Sequence, residues 1–281
     1  MALRFAYPPH KTSQWRKILS DSIGSTGLIA FFDILGYQNL LNNNPDINTS
    51  ILEILDIIEN LPEEAKKILT DSSKKTESTH NSQVTNIVFP EIKKAINEIK
   101  HLVFSDTILL TLQYDETDDE LTIRMKHMVM LAISATVAAQ MFAKGLPVRG
   151  VLHKGEFFIK NNCFAGKPIV DAYQLCEELN LSGVICSHKF SEYLEELSTK
   201  DKVPEHKIVF RYLTPMRNDR EEKFYNINWL INTKNLDDIE SIVLEAFWSH
   251  NKDCSIAVDK KIQNTEKLIR KMLLINSQLG K

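Results

Sequence analysis

Between residues 27 and 153 the hydrophobic pattern runs strand, helix, strand, strand, helix, strand, and this order constrains the fold more than any other feature. The first strand is the apolar run GLIAFFDIL, from Gly27 to Leu35. A helical pattern follows from Ile47 to Leu69, with Ile51, Leu52, Leu55 and Ile58 on one face. Residues 71–86 (DSSKKTESTHNSQVTN) are polar, without aromatic residues or glycine, and read as a mobile insertion. The helix resumes over Phe89–Lys100, with Pro90 in its first turn. Leu102–Tyr114 (LVFSDTILLTLQY) reads as two short strands around a Ser-Asp turn. The acidic stretch DETDDE suits the amino end of a long helix over about 121–144, which Gly145 stops. Pro147–His153 and Glu156–Lys160 read as two strands joined tightly through Lys154-Gly155. The order is ferredoxin-like: an α+β fold with an antiparallel or mixed sheet and flanking helices.

Further along come a helix over Pro168–Leu179, a strand over Gly183–Ser187, strands near Ile208–Tyr212 and Lys223–Asn228, and a helical tail from Leu236. Three regions are therefore expected. Residues 1–26 form a mixed leading segment containing Pro8-Pro9, and residues 27–200 form one catalytic-size domain. Residues 201–281 form a strand and helix extension packed on that domain. The chain's 43% hydrophobic and 25% charged residues suffice for a sizeable core. A formal net charge of -3 argues against a nucleic-acid or anionic-membrane surface and leaves small molecules and protein partners. Cys163, Cys176, Cys186 and Cys254 form no CxxC, and nothing resembles a signal peptide, so a cytoplasmic protein with reduced thiols is expected. The eight histidines form no HxxxH or HExxH pair, which removes the usual zinc patterns. The most apolar helical stretch, Met128–Phe142, is shorter than the ~20 residues a bilayer span needs, so no membrane insertion is expected.

Asp33 interrupts the first apolar strand near its carboxyl end, and burying an unpaired carboxylate is costly. Asp106 sits at the end of the strand LVFS, in the turn. Two strands joined by a helix run parallel, so both acids are expected at one sheet edge as the ends of neighbouring strands. Like charges in one crevice call for a cation between them, and carboxylates with carbonyls and water suit Mg²⁺ or Mn²⁺. The backbone groups of Leu35, Gly36 and Tyr37 open a helix beside Asp33 and could meet phosphate. The same residues also suit a structural pair between Asp33 and a nearby Lys or Arg, and spacing alone leaves both readings open.

Four stretches resemble the catalytic domain of class III nucleotide cyclases over roughly Gly27 to Ser187. FFDILGY (Phe31–Tyr37) is similar to the family's first metal-binding strand. Ser105-Asp106 is similar to its second metal aspartate, PVRGVLHKGEF (Pro147–Phe157) to a later strand, and FAGKPIVDAYQLCEEL (Phe164–Leu179) to its late helix. The resemblance implies two divalent ions, Mn²⁺ or Mg²⁺, on the catalytic acids Asp33 and Asp106 and the carbonyl of Ile34. It implies Arg149 and Lys167 on the phosphates, with Leu35, Gly36 and Tyr37 beside them. Leu102 stands where purine cyclases carry a Lys or Glu that reads the base, and Cys163 falls near the second base-reading position. Val170 and Gln174 stand where the family has its transition-state Asn and Arg.

Within that family the chain most resembles the pyrimidine cyclases of bacterial Pycsar anti-phage systems, through FFDILGY, FSDT, PVRG and GKPIVDAYQL. That resemblance implies a cytoplasmic homodimer which converts UTP, or else CTP, to its 3′,5′-cyclic monophosphate and pyrophosphate. The product would act on a separately encoded effector. Two alternatives follow from the departures: a degenerate cyclase-homology module that binds nucleotide or a partner without turnover, and a purine cyclase with an unusual base pocket.

Overall fold

The computed structural model describes residues 25–44, 49–79, 83–115, 117–160, 163–201, 208–231, 233–252 and 256–278. Most of the expected leading segment 1–26 and Cys254 lie outside these residues. Eight strands form one mixed sheet with helices on both faces. Strand β1 (Ser25–Ile34) leads to helices α1 (Tyr37–Asn43), α2 (Thr49–Thr79) and α3 (Gln83–Glu98). Strands β2 (Lys100–Phe104) and β3 (Thr107–Gln113) follow, then helix α4 (Glu120–Ala143) and strand β4 (Val148–Lys160). Next come β5 (Cys163–Ala165), α5 (Lys167–Glu178), β6 (Gly183–Cys186) and α6 (His188–Asp201). The chain continues through β7 (Val209–Pro215), β8 (Glu221–Ile227), α7 (Ile239–Trp248) and α8 (Ile256–Gln278).

The sheet order is β2-β3-β1-β4-β6-β8-β7, with β5 paired to the far half of β4. Its first four strands reproduce the ferredoxin-like order, and all pair antiparallel; β4 and β6 are the parallel pair. β1 and β2 are not neighbours as expected: β3 lies between them. They still run parallel, because each is antiparallel to β3, so their carboxyl ends share an edge. β6, β8 and β7 extend the same sheet, so the segment after residue 208 completes the domain's core.

β1 reads as unbroken apolar sequence because both of its faces are covered. Leu28, Ala30, Phe32 and Ile34 join the larger core with α2, α3, α4, α7 and α8. Ile29 and Phe31 point the other way, into a smaller core with Leu109, Val151, Phe157, Ala172 and Cys176. Side-chain alternation puts Asp33 on this second face, at the strand end, where α5 packs across β1 and β4.

Three expectations change. β4 is one strand of 13 residues, not two joined by a turn. A Cβ on Gly155 would sit 2.5 Å from Cγ of Pro168, so the glycine lets α5 approach the sheet and makes no turn. Helices α2 and α3 run further into the polar segment, with residues 71–79 and 83–86 helical and 80–82 outside the described residues. Helix α4 has 24 residues, long and apolar enough to cross a membrane by length and composition. The shortness argument therefore fails. Leu131, Ile133, Val137 and Met141 of α4 are instead buried in the larger core.

Candidate functional site

The turn between β2 and β3 is two residues long, with Ser105 in the left-handed region at φ 56°, and it carries Asp106. The Asp106 carbonyl accepts the Ile34 N–H at 3.0 Å, which fixes the turn against the end of β1. Asp33 opposes Thr107 on one side and Arg149 on the other. Asp33 and Asp106 thus line one cavity of about 500 Å³ at this sheet edge.

Arg149 stands on β4, 7% exposed, directly across from Asp33. Its Nε donates to Oδ2 of Asp33 at 2.7 Å, and its Nη1 donates to the Glu177 carbonyl at 3.0 Å. Its Nη2 pairs with Oε1 of Glu177. The other oxygen of Glu177 accepts from Nη2 of Arg217 at 3.3 Å. A relay therefore runs Asp33, Arg149, Glu177, Arg217. Arg217 is held at the β7–β8 turn by two successive left-handed residues, Asn218 at φ 59° and Asp219 at φ 58°. Such positions tolerate Asn and Asp best.

Three carboxylates (Asp33, Asp106, Glu177) and three cations (Arg149, Arg217, Lys261) line the cavity, so its wall is neutral overall yet strongly charged. Burial pushes the Asp33 carboxyl above the usual aspartate range. Arg149 pulls it back, and the charges of Asp106 and Glu177 add to the rise. Burial and Asp106 likewise hold the Tyr37 hydroxyl above its ordinary value.

Of the residues singled out from sequence, Asp33, Ile34, Leu35, Gly36, Tyr37, Asp106 and Arg149 line this cavity. The Leu35 N–H is not open to a ligand, because it donates to the Pro147 carbonyl at 2.9 Å. Gly36 caps α1 at φ 79°, the left-handed conformation a glycine supplies cheaply. Five others stand outside the cavity, among them Val170, exposed on α5. Leu102 packs against the smaller core. Cys163 is exposed on β5. The Lys167 ammonium, 80% exposed, bonds Asp171 on its own helix at 2.7 Å. Gln174 is exposed on α5. Eight lining residues were missed, and four of them bear on the chemistry: Tyr173, Glu177, Arg217 and Lys261. Glu177 is four positions after Tyr173 on α5, so helical spacing links the two. Arg217 and Lys261 come from the segment after residue 200, where no motif points to them.

Among the described residues no three His, Cys, Asp or Glu side chains gather into a metal cage. A hard divalent ion such as Mg²⁺ needs only one or two carboxylates when phosphate and water supply the rest. The Asp33–Asp106 edge fits that donor set, and the charges of Asp106 and Glu177, added to burial, make the Asp33 carboxylate costly there, a cost that a bound cation would offset.

No protein-family model matches the chain, and no curated protein does. Among solved structures, the chain is similar to a bacterial light-regulated adenylyl cyclase at 11% identity and TM-score 0.34, covering 93% of this chain and 67% of that one. Another structure of a bacterial light-regulated adenylyl cyclase gives 10% identity and TM-score 0.40, covering 94% and 68%. A class III adenylyl cyclase-like ATP-binding protein from Pseudomonas aeruginosa gives 11% identity and TM-score 0.37, covering 64% of this chain and 37% of that one.

Proposed function

We propose that this cavity binds a nucleoside triphosphate with divalent ions and closes it to a 3′,5′-cyclic monophosphate. The observation that carries the reading is the meeting of Asp33 and Asp106, far apart in sequence, in one cavity that Arg149, Arg217 and Lys261 also line. Three of the four stretches that resemble class III cyclases contribute to it through Asp33, Asp106 and Arg149, and the fourth through Tyr173 and Glu177.

In this reading Asp33, Asp106 and the Ile34 carbonyl hold the ions. Bound there, Mn²⁺ or Mg²⁺ supplies Lewis-acid activation of the ribose 3′-hydroxyl and neutralises charge on the triphosphate. The new bond joins O3′ to the α-phosphorus, and the bond from the α-phosphorus to the bridging oxygen breaks. Pyrophosphate leaves, and the hydroxyl proton passes to solvent. Arg149 orients Asp33 through its Nε bond and is itself oriented by Glu177. Arg217 presents the remaining guanidinium edge toward the phosphates.

The substrate in our reading is a pyrimidine nucleotide, UTP before CTP, and the product is a messenger for a separately encoded effector in anti-phage defence. Sequence resemblance supports this, together with an apolar Leu102 at the position where purine cyclases read the base. A homodimer is part of the same reading. Phe104, Val170 and Tyr173 are 75%, 51% and 49% exposed, and a second copy would cover them and bring Leu102, Cys163, Lys167 and Gln174 toward a shared pocket.

One observation favours a second reading, a nucleotide-binding module without turnover: Arg149 already occupies one oxygen of Asp33. Incubating the protein with each of the four NTPs and Mn²⁺, with mass-spectrometric identification of products, separates the two. Cyclic UMP is the expected product. The absence of a cyclic product from every NTP would leave the binding module. Asp33→Asn and Asp106→Asn should each cut turnover by at least ~10³-fold, Asp106→Asn leaving the melting curve in place and Asp33→Asn, which also loses the ion pair with Arg149, remaining folded by circular dichroism.

A further inference from the structure

Helix α8 lies outside the span that resembles nucleotide cyclases, yet Val258 and Lys261, one turn apart, face the same cavity. The helix is pinned there by polar contacts one turn beyond Lys261. Thr265 Oγ1 accepts the Ser182 N–H at 2.8 Å, and Asn264 donates to the Asn180 carbonyl at 2.9 Å. Lys260 next door pairs with Asp219 of the β7–β8 turn, which ties α8 to the loop carrying Arg217.

Lys261 differs from the other two cations of the cavity. Arg149 and Arg217 both pair with Glu177. Lys261 is half-buried; its carbonyl accepts from Thr265 Oγ1, but its ammonium makes no hydrogen bond or ion pair among the described residues. Burial pulls its pKa down, and the charges of Arg149 and Arg217 pull the same way, against Glu177. A long, strongly hydrated ammonium gains nothing from facing two guanidiniums in a closed wall. An anion would relieve all three at once. The ions on Asp33 and Asp106 would at the same time offset part of the polyphosphate's charge beside the carboxylates.

We infer that Lys261 is a substrate-binding residue that takes the terminal phosphates of a polyphosphate, so that the C-terminal helix completes the phosphate end of the site. This rests on reading the cavity as a nucleotide site, but it does not need the nucleotide to be cyclised. The consequence is a preference for chain length: inorganic tripolyphosphate should bind more tightly than pyrophosphate, and orthophosphate least.

The test is calorimetric titration of the full chain with inorganic tripolyphosphate, pyrophosphate and orthophosphate, at one Mg²⁺ concentration and one ionic strength. Lys261→Gln should weaken tripolyphosphate binding about tenfold to a hundredfold, the value of one charge-assisted hydrogen bond. Lys261→Arg should restore binding to within about threefold, because the charge returns. Lys267→Gln, an exposed lysine on the same helix, should leave it unchanged. Tripolyphosphate binding equal in Lys261→Gln and the native chain would overturn the inference, as would a native chain that binds no tripolyphosphate. A chain that binds tripolyphosphate through Lys261 but cyclises no NTP would remove the cyclase reading and support this one.

Discussion

Two buried cations, Lys126 on α4 and Arg149 on β4, meet carboxylates in opposite ways. Lys126 is 0% exposed and saturated: its Nζ reaches Asp118 at 2.6 Å, the Gln113 carbonyl at 2.9 Å and Glu98 at 3.0 Å, three acceptors for three donors. Burial works against its charge, and the bonds to Asp118 and Glu98 prevail and raise its pKa. The ammonium is thus fully bonded by the chain itself, and it holds α3, α4 and the end of β3 together. The Arg149 cluster is open. It lines a cavity, where burial keeps the Asp33 carboxyl raised against the pull of Arg149, and it includes Lys261, whose ammonium makes no ion pair among the described residues. A structural ion pair is finished by the chain itself, whereas a binding site leaves its electrostatics for the ligand to finish.

The largest expected effect tests the Lys126 cluster. Lys126→Met should remove about 3–5 kcal/mol of stability, because Asp118, 1% exposed, is then left buried without a cation while Glu98 is partly hydrated. Denaturant unfolding measures it, and tripolyphosphate affinity of the folded fraction should stay native. A loss under about 1 kcal/mol would mean that water reaches the cluster and the contrast with Arg149 is false.

Arg149→Met should cost less, about 1–3 kcal/mol without metal, because Asp33 and Glu177 are 15% and 30% exposed and partly hydrated. Mn²⁺ should restore part of that loss, since the ion replaces the missing cation. Its stabilising shift in melting temperature should therefore be larger in the variant than in the native chain. Equal shifts in both would detach Asp33 from metal binding.

The two clusters should also answer pH from opposite sides. The folded pKa of Lys126 is raised, so its contribution is fully present below about 10.5 and is lost as pH rises through the higher folded value. Tyr114 and Tyr193, both raised by burial, push stability the same way in alkali. Asp33 is also raised, but it is an acid, so its ionised form at neutral pH detracts from folding and its proton competes with a metal ion. The Mn²⁺-induced gain in melting temperature should begin to fade on acidification while pH is still above the ordinary aspartate value of about 3.8. Thermal scans between pH 7 and 4 read this directly. A gain that persists unchanged to pH 4 would remove Asp33 from the ion's ligands.

Sequence made one wall of the open cluster legible and hid the other. Asp33 stood out because a carboxylate in a two-faced apolar strand violates the pattern around it. Asp106 stood out because Ser-Asp between two apolar runs is a turn signal. Their convergence followed from the parallel sense of β1 and β2, even though β3 separates them. Arg217 and Lys261 had no such signal. Each is a charged residue among charged residues, and only the long-range pairing of β8 with β6 and the docking of α8 brings them to the edge. Gly155 misled for a related reason: glycine marks turns locally, but here the missing Cβ serves a helix that arrives later in the chain. Residues 71–79 are helical without apolar periodicity, and their helix carries exposed pairs such as Lys74–Asp71.

The smallest expected effect is the sharpest on where the open cluster ends. Lys167 belongs to a stretch that resembles a cyclase helix, yet its ammonium is satisfied by Asp171 one turn away on an exposed surface. Such an i,i+4 pair is worth about 0.3–0.5 kcal/mol, and Lys167→Ala should shift stability by no more than that. Its effect on tripolyphosphate binding measured at dilute, monomeric concentrations should be nil, in contrast to Lys261→Gln. Repeating the titration at concentrations where a second copy associates gives the comparison its edge. If Lys167→Ala then weakens binding while the dilute measurement stays native, the lysine reaches a phosphate across the dimer. The cationic wall would in that case be built from two chains. If it weakens binding in both, the cavity drawn by Asp33, Asp106 and Lys261 is too small, and Lys167 must leave Asp171 to enter it.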